Sequence, residues 1–444
     1  MSIYEVNSMK REKLNDLMRW KESSYRKPLL VRGARQVGKT WLLREFGRVA
    51  YKQCVYINFE DAPRLQSLFI DDFDIERILQ IIEIEFKTKI VPEDTLIIFD
   101  EIQSAERAVT SLKYFCEKAP QYHIAAAGSL LGIAIHGHVS FPVGKVDFLE
   151  LEPMSFLEYL NAIGEGALED LLRTRDWQAI GHFKKSLIGH LKHYFFIGGM
   201  PEAVVVYIQN RNFEAVRHIQ NRILDAYEND FSKHAPVEWV PRIRMVWQSI
   251  PSQLAKENKK FLYGVLKEGG RAKEFELAIQ WLLDCGLAVR CNKVQKPGMP
   301  LIAYQNLAAF KLFMVDVGLL SAKTGLDSRT LIEGNRIFEE FKGTLTEQFV
   351  LQQLRHLPND FIGYWTNDKS TAEVDFLLQT GGQVIPIEVK AGENLQSKSF
   401  KFFCDKYRPG TAIRTSLSDY REESWMINLP LYSIGAAGDL RAKK

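Results

Sequence analysis

"VRGARQVGKT", residues 31–40, is the stretch that decides how the chain is read. It holds Gly33-Ala34-Arg35-Gln36-Val37-Gly38-Lys39-Thr40, the spacing G-x-x-x-x-G-K-[ST] of a phosphate-binding loop. The two glycines let backbone N–H groups wrap a β-phosphate. Lys39 then reaches the β/γ oxygens, and the Thr40 hydroxyl ligates Mg²⁺. Chance produces such a match on the order of once in a hundred chains of this length. The flanks sharpen the reading. "KPLLVR" (27–32) is a short apolar strand that ends at the loop, and "KTWLLREFGRVA" (39–50) is a helix with Trp41, Leu42, Leu43 and Phe46 on one side. Strand, loop and helix in that order set the phosphates at a helix N-terminus.

A second stretch predicts hydrolysis. "TLIIFDEIQ" (95–103) is a run of apolar residues followed by two acids, which reads as a buried parallel strand. Asp100 at its C-terminal end is expected to hold Mg²⁺ through water, and Glu101 to polarise the attacking water. "CVYINF" (54–59) and "HIAAAGS" (123–129) are further strands. Ser129, after Gly128, has two open readings: a sensor of the γ-phosphate or the N-cap of the next helix. Four strands separated by helical stretches predict a doubly wound α/β core with its ligand at the strand C-termini.

Composition leaves room for more than this core. The chain has 444 residues, enough for two to four domains, with 46% hydrophobic and 25% charged residues. Net charge is +3, but residues 241–330 carry 14 Lys+Arg against 7 Asp+Glu. That local excess is either a nucleic-acid footprint or a solvated lysine-rich face. Cys54, Cys116, Cys285, Cys291 and Cys404 are scattered and odd in number, which argues against a disulfide framework or a zinc site. No apolar signal core opens the sequence, and its most apolar window (124–135) is too short to span a bilayer. The expectation is a cytoplasmic protein with no membrane partner.

"PLLVRGARQVGKT", "IIFDEIQ", "AAGSLLG" and "FPVGKVDFLELEPMSFLEYL" together resemble the AAA-type P-loop ATPases of bacteria and archaea that carry a long C-terminal domain. The resemblance runs over nearly the whole chain. It implies an ATP- and Mg²⁺-dependent ATPase core over residues 1–155, a helical lid over 156–238, and assembly into a homo-oligomer. Many relatives place an arginine where this chain has Lys145, and the resemblance implies that such an arginine acts on a neighbour's nucleotide. Lysine keeps the charge but loses the planar fork.

Within the expected lid, "GGMP" (198–201) reads as a helix break. His190 and His193 share a helical face with no third ligand near them in sequence, so they are read as helix-surface residues. From residue 239 to 330 the pattern of two or three helices and then a hairpin, with Gly286 capping a helix, suggests a winged helix. Its recognition helix would run from about Lys273 to Trp281. Phe275, Leu277, Ile279, Trp281 and Leu282 are assigned mostly to the core. Lys256, Lys259, Lys260, Lys267, Arg271 and Lys273 are candidate DNA-phosphate contacts. A packing platform between domains is the competing reading.

"AEVDFLLQTGGQVIPIEVKAGEN" (372–394) reads as two strands around a Gly381-Gly382 turn. Asp375 lies on one strand, Glu388 and Lys390 on the next, and Glu347 on the helix "GTLTEQFVLQQLRHL" (343–357). This set resembles the PD-(D/E)XK nuclease core over residues 331–444. It implies Asp375, Glu388 and Glu347 as Mg²⁺ ligands and Lys390 as the group that activates water. Glu373 is expected on the opposite face and dispensable. A cross-strand salt-bridged sheet, or a nuclease fold without activity, is the alternative. The function these readings converge on is an ATP-binding and ATP-hydrolysing protein that couples turnover to DNA binding or processing. A nucleotide-dependent switch or a protein-remodelling ATPase is the alternative.

Overall fold

Strand-forming residues cluster in the first third of the chain and again after residue 287, and helices fill the space between. The computed structural model describes residues 9–128, 141–257, 259–333, 339–367, 371–392 and 397–437. It divides into two compact units. The first is Arg11–Glu152 with Asp284–Leu287, and the second contains the remaining described residues.

The first unit is built on five strands: β1 Leu29–Arg32, β2 Gln53–Asn58, β3 Thr95–Asp100, β4 His123–Ala127 and β5 Asp147–Glu150. They are ordered β2-β3-β4-β1-β5 and every pairing is parallel. All six residues of β3 are buried, as a run of Thr-Leu-Ile-Ile-Phe-Asp covered on both faces requires. Leu30, Ile57, Ile97, Phe99 and Ile124 join Ile78 and Ile82 of the helix Ile75–Phe86 and Leu112 and Phe115 of the helix Ala108–Lys118 in one core. Asp74 caps the first of these helices by accepting from the backbone N–H of Glu76 and Arg77. The four strands expected from sequence are present. The fifth, β5, lies beside β1, with Val31 opposite Leu149.

The second unit combines a helical part with an eight-stranded mixed sheet. The helices run from Phe156–Ala162 to Ala272–Asp284. The remaining strands are β6 Ala288–Val294, β7 Gln305–Met314, β8 Phe361–Thr366, β9 Glu373–Thr380, β10 Gln383–Val389, β11 Ile413–Ser416, β12 Arg421–Glu422 and β13 Ile427–Pro430. Their order is β12-β13-β11-β10-β9-β8-β6-β7. The β6–β7 hairpin, read from sequence as the wing of its own module, is thus the edge of the same sheet as the C-terminal motif. β6 pairs in parallel with β8 through Asn292–Gly363, Lys293–Tyr364 and Val294–Trp365. That pairing satisfies the backbone groups that a free hairpin would leave exposed along β6. The β9–β10 turn matches expectation. Gly381 and Gly382 take φ +54° and +75°, and the register runs from Gln383–Thr380 to Ile387–Phe376.

The "GGMP" break is fixed by a buried carboxylate. Gly198 has φ +74°, and a Cβ there would lie 2.1 Å from Asp316 Oδ1. Asp316, itself fully buried, accepts from Gly199 N (2.6 Å), Leu319 N (2.9 Å) and Gln352 Nε2 (3.0 Å). Gln352 Nε2 also donates to the Tyr194 hydroxyl at 3.0 Å. Replacing Asp316 with alanine leaves the Gly199 and Leu319 N–H groups without this acceptor and removes one of the two acceptors of Gln352 Nε2. Asp316→Ala is therefore expected to lower the stability of the chain by about 3 kcal/mol, read by denaturant unfolding.

Candidate functional site

The phosphate loop grows out of the end of β1. Gly33 takes φ +143°, Gln36 +66° and Gly38 +94°, three left-handed turns of the chain in six residues. A Cβ at Gly33 would meet the Leu151 carbonyl oxygen at 2.2 Å, so only glycine fits. Ala34 and Val37 are buried and anchor the loop, while Gln36 is exposed and Arg35 half-buried. Gly38 is the N-cap of the helix Lys39–Ala50, whose first residue is the buried Lys39.

Lys39 Nζ donates to the carbonyl oxygens of Gly33 and Ala34, both at 2.9 Å. Burial draws its pKa from 10.5 to about 8, opposed by the carboxylates of Glu101 and Asp100. Thr40 Oγ1 donates to Asp100 Oδ2 at 2.6 Å, and the Tyr56 hydroxyl donates to the same oxygen at 2.8 Å. Asp100 Oδ1 accepts from the Glu101 backbone N–H at 3.1 Å. Glu101, the residue after β3, takes a left-handed conformation, φ +47°, and its Oε2 accepts from Gln103 Nε2 at 2.6 Å. Thr40, Asp100, Glu101 and Lys39 therefore meet at the C-terminal edge of the parallel sheet, as the sequence predicts. The hydroxyl–carboxylate pair of Thr40 and Asp100 is an all-oxygen donor set of the kind a hard cation such as Mg²⁺ takes. Ser129 lies outside the described residues.

Two supports of this site were not legible in the sequence. Arg11, almost fully buried, donates from Nη1 to the Val37 carbonyl (2.9 Å) and from Nη2 to the Glu152 carbonyl (2.6 Å). It ties the loop to the segment after β5, and no local pattern separates it from Lys10 and Lys13. Tyr56 is the other; it lies within β2, level with Ile98 of β3, and its reach to Asp100 depends on that pairing. Lys145 forms a surface pair with Glu117 at 3.0 Å. His190 lies 3.6 Å from Glu165, and His193 Nδ1 is 3.1 Å from the Tyr207 hydroxyl. Burial lowers the pKa of both histidines.

The C-terminal carboxylates also gather, with unexpected company. Glu388 and Asp375 adjoin the last β9–β10 pair, Ile387–Phe376, and the Glu388 charge acts on Asp375. Asp375 Oδ2 accepts from Val389 N at 2.7 Å. Lys390 Nζ pairs with Glu388 Oε1 at 2.8 Å, and the same oxygen accepts from Ser397 Oγ at 3.2 Å. Glu347 is held by two ammonium groups. Lys259 binds its Oε1, and Lys311 Nζ lies 3.5 Å from its Oε2. Lys311 Nζ also pairs with Glu373 Oε1 at 2.5 Å. Burial, followed by the Glu347 and Glu388 charges, pushes the Asp375 pKa well above the ordinary carboxylate range. Lys311 moves up, because the surrounding carboxylates outweigh its burial.

Two expectations change here. Glu373 does not face away from Asp375. Residues two apart on a strand share a face, and both interact with Lys311. Lys259 is not a surface phosphate contact, because its side chain is 13% exposed and committed to Glu347. Among the described residues, no group of three or more His, Cys, Asp or Glu is arranged to hold a metal ion.

The basic segment is less uniform than its composition suggests. On the helix Ala272–Asp284, Phe275, Ile279, Trp281 and Leu282 are buried as expected, but Leu277 is exposed. Lys273, Glu276 and Gln280 are exposed with it, so this face mixes charges. Lys260, Lys267 and Arg271 are exposed, Lys256 is half-buried, and Lys267 lies 4.0 Å from Glu274. Among the described residues, no helix is long and apolar enough to cross a membrane.

Residues 25–160 match the family described as AAA domain. Residues 188–330 and 342–433 match two domains of unknown function, DUF8612 and DUF4143. No curated protein matches the chain. Three similar solved structures are of low identity. The Aeropyrum pernix ORC1 protein in complex with DNA is 12% identical, covering 73% of this chain and 95% of that one, with a TM-score of 0.30. A Thermotoga maritima RuvB variant is 15% identical, covering 65% and 90%, at 0.30. The Drosophila ORC bound to DNA is 12% identical, covering 72% and 89%, at 0.28. Scores this low say nothing about partner or substrate. The AAA-domain match falls mostly on the first unit, whose five strands are all parallel.

The loop's anchor and its buried lysine can each be tested. Arg11→Ala leaves the Val37 and Glu152 carbonyls without their donor and loosens the loop. ATP affinity should fall about tenfold, roughly 1.4 kcal/mol, in a nucleotide titration. For Lys39 the readout is pH. Its folded pKa lies below the unfolded value of 10.5, so the native state binds fewer protons between about 8 and 10.5. Over that window the nucleotide-free wild type should gain stability relative to Lys39→Met as pH rises. Equal pH slopes for the two chains would contradict the assignment.

Proposed function

We propose that the chain binds and hydrolyses ATP with Mg²⁺ at the loop Gly33–Thr40 and uses that turnover to control binding of nucleic acid. One observation carries the first half. Thr40 and Asp100 share a 2.6 Å hydrogen bond, with Glu101 next in sequence and Lys39 one residue before Thr40. Thr40 and Asp100 would hold Mg²⁺, which supplies charge neutralisation at the β/γ oxygens when bound. Backbone N–H groups of Gly33, Ala34, Arg35, Gln36, Val37 and Gly38 would surround the phosphates, and Lys39 would bind their oxygens. Glu101 would take the proton of the attacking water, oriented by its hydrogen bond from Gln103. Ser129 would sense the γ-phosphate, and a homo-oligomer is the assembly this class of domain implies.

The second half rests on the exposed basic residues Lys260, Lys267, Arg271 and Lys273 with the half-buried Lys256, and Lys259 is removed from the set. The observation that both oxygens of Glu347 are engaged by lysines favours binding without cleavage at Asp375, Glu388 and Lys390. Metal-dependent cleavage by these residues is the reading it competes with, and Mg²⁺-dependent nicking of plasmid DNA by the wild type, abolished in Asp375→Ala, would restore it.

Glu101→Gln tests hydrolysis. It removes the base and keeps every phosphate ligand, so ATP affinity should hold while turnover falls at least about a hundredfold. Turnover at the wild-type rate would show that Glu101 is not the base. For nucleic acid, the combined Lys260→Ala, Lys267→Ala, Arg271→Ala and Lys273→Ala chain is the test. Each lysine– or arginine–phosphate interaction removed should reduce the slope of log affinity against log salt by about 0.9 on duplex DNA. An unchanged slope would place the DNA-binding surface elsewhere.

A further inference from the structure

A divalent cation among Glu347, Asp375 and Glu388 needs free carboxylate oxygens pointing at one place, and among the described residues no group of three such ligands is so arranged. Glu347 comes from the helix Glu339–His356, Glu373 and Asp375 from β9, and Glu388 from β10. Lys311 enters from β7, the far edge of the sheet, where it is opposite Cys291 in the register. Its side chain is 1% exposed and its ammonium sits 5.0 Å from the centre of the Tyr364 ring. From there it reaches Glu347 Oε2 and Glu373 Oε1 at once. Lys259 closes on the other oxygen of Glu347 from a residue held at φ +48°, a conformation that non-glycine residues seldom adopt. Glu388 is paired with Lys390. Glu347 and Glu388 of the donor set expected of a metal-dependent nuclease, and Glu373 beside them, are therefore already paired with lysines of the chain, while Asp375 accepts from Val389 N.

We propose that Lys311 and Lys259 take the place of a divalent cation in this cluster, so that the second unit presents a nuclease-like sheet locked into a salt-bridged, metal-free state. Four carboxylates gathered in a largely buried cluster repel one another and need positive charge, from a metal or from lysines. A buried ammonium fixed by two carboxylates satisfies that need without a binding equilibrium. A cation arriving from solvent would have to displace it into an apolar interior, and an unpaired buried ammonium is costly. Removing either lysine leaves the charge demand unmet and turns the cluster into a site with free oxygen ligands, which hard cations favour. The inference rests on the proposed reading that the second unit binds without cutting.

The test uses the full-length chain without nucleotide and Mn²⁺ alone as the probe, followed by electron paramagnetic resonance titration and by thermal unfolding. Five chains are compared: wild type, Lys311→Ala, Lys259→Ala, Asp375→Asn, and Asp375→Asn combined with Lys259→Ala. Wild type and Asp375→Asn should bind the same number of Mn²⁺ ions, since the cluster contributes none. Lys311→Ala and Lys259→Ala should each have a lowered Tm that rises as Mn²⁺ is added. Each should bind one additional ion, and Asp375→Asn should abolish it. If Lys311→Ala does not fold, the partly exposed Lys259→Ala decides. An ion bound by wild type and absent in Asp375→Asn overturns the proposal. So does the absence of any added Mn²⁺ site in the lysine variants that fold. Failure of the underlying reading looks different: DNA is cut by the wild type with Mg²⁺, whatever the Mn²⁺ titration gives.

Discussion

The hydrogen bond from Thr40 to Asp100 is the constraint on which the first unit is organised. It joins the start of the helix after β1 to the end of β3, two strands that are not neighbours because β4 lies between them. Both ends lie at one edge because β1 and β3 run in the same direction. The pairings deliver that alignment, with Leu30 level with Ala126 and Ala126 level with Phe99. The rest of the site is fitted around the bond. Tyr56 from β2 adds a second donor to Asp100, and Arg11 pins the loop through Val37. Glu101 turns out of the strand in a left-handed conformation one residue later. Lys39 is held against its own loop and gives up part of its basicity to burial, a state that negative phosphate oxygens would reverse.

The second unit answers a different electrostatic problem. Its sheet and the helix against it carry four acids at neighbouring positions, which separate strands and a helix bring together. Chains with such clusters neutralise them with metal or with basic side chains. Here Lys259, Lys311 and Lys390 do so, drawn from a loop, an edge strand and the residue that follows β10. Part of the basic excess seen in residues 241–330 is therefore internal. It balances acids of the C-terminal motif rather than lying open to a polyanion.

What the sequence disclosed follows from how local each signal is. The phosphate loop, Asp100-Glu101 and the Gly381-Gly382 turn are short patterns whose chemistry is complete within a few residues, and all are where the reading put them. β5 escaped notice because only Leu149 of its four residues is buried, so it has no apolar run to detect. The partners of Glu347 were hidden by distance along the chain, 88 residues to Lys259 and 36 to Lys311. No propensity or period reports such pairs. Glu373 differs, since strand alternation alone places it on the face of Asp375, and the sequence contained that answer. The hairpin at 288–314 was recognisable as a hairpin. Its membership in the larger sheet depends on the parallel pairing of β6 with β8, strands far apart in the chain.

ATP hydrolysis coupled to nucleic-acid binding without cleavage is the central claim. The most direct measurement is the steady-state ATPase rate of the wild-type chain with Mg²⁺, at low salt, with and without duplex and single-stranded DNA, followed by recovery of the DNA. The account predicts measurable turnover, a rate that rises with one of the DNA forms and falls back as salt screens the phosphates, and DNA recovered intact. A rate indifferent to every DNA, or DNA recovered cut in an Mg²⁺-dependent manner, would contradict it.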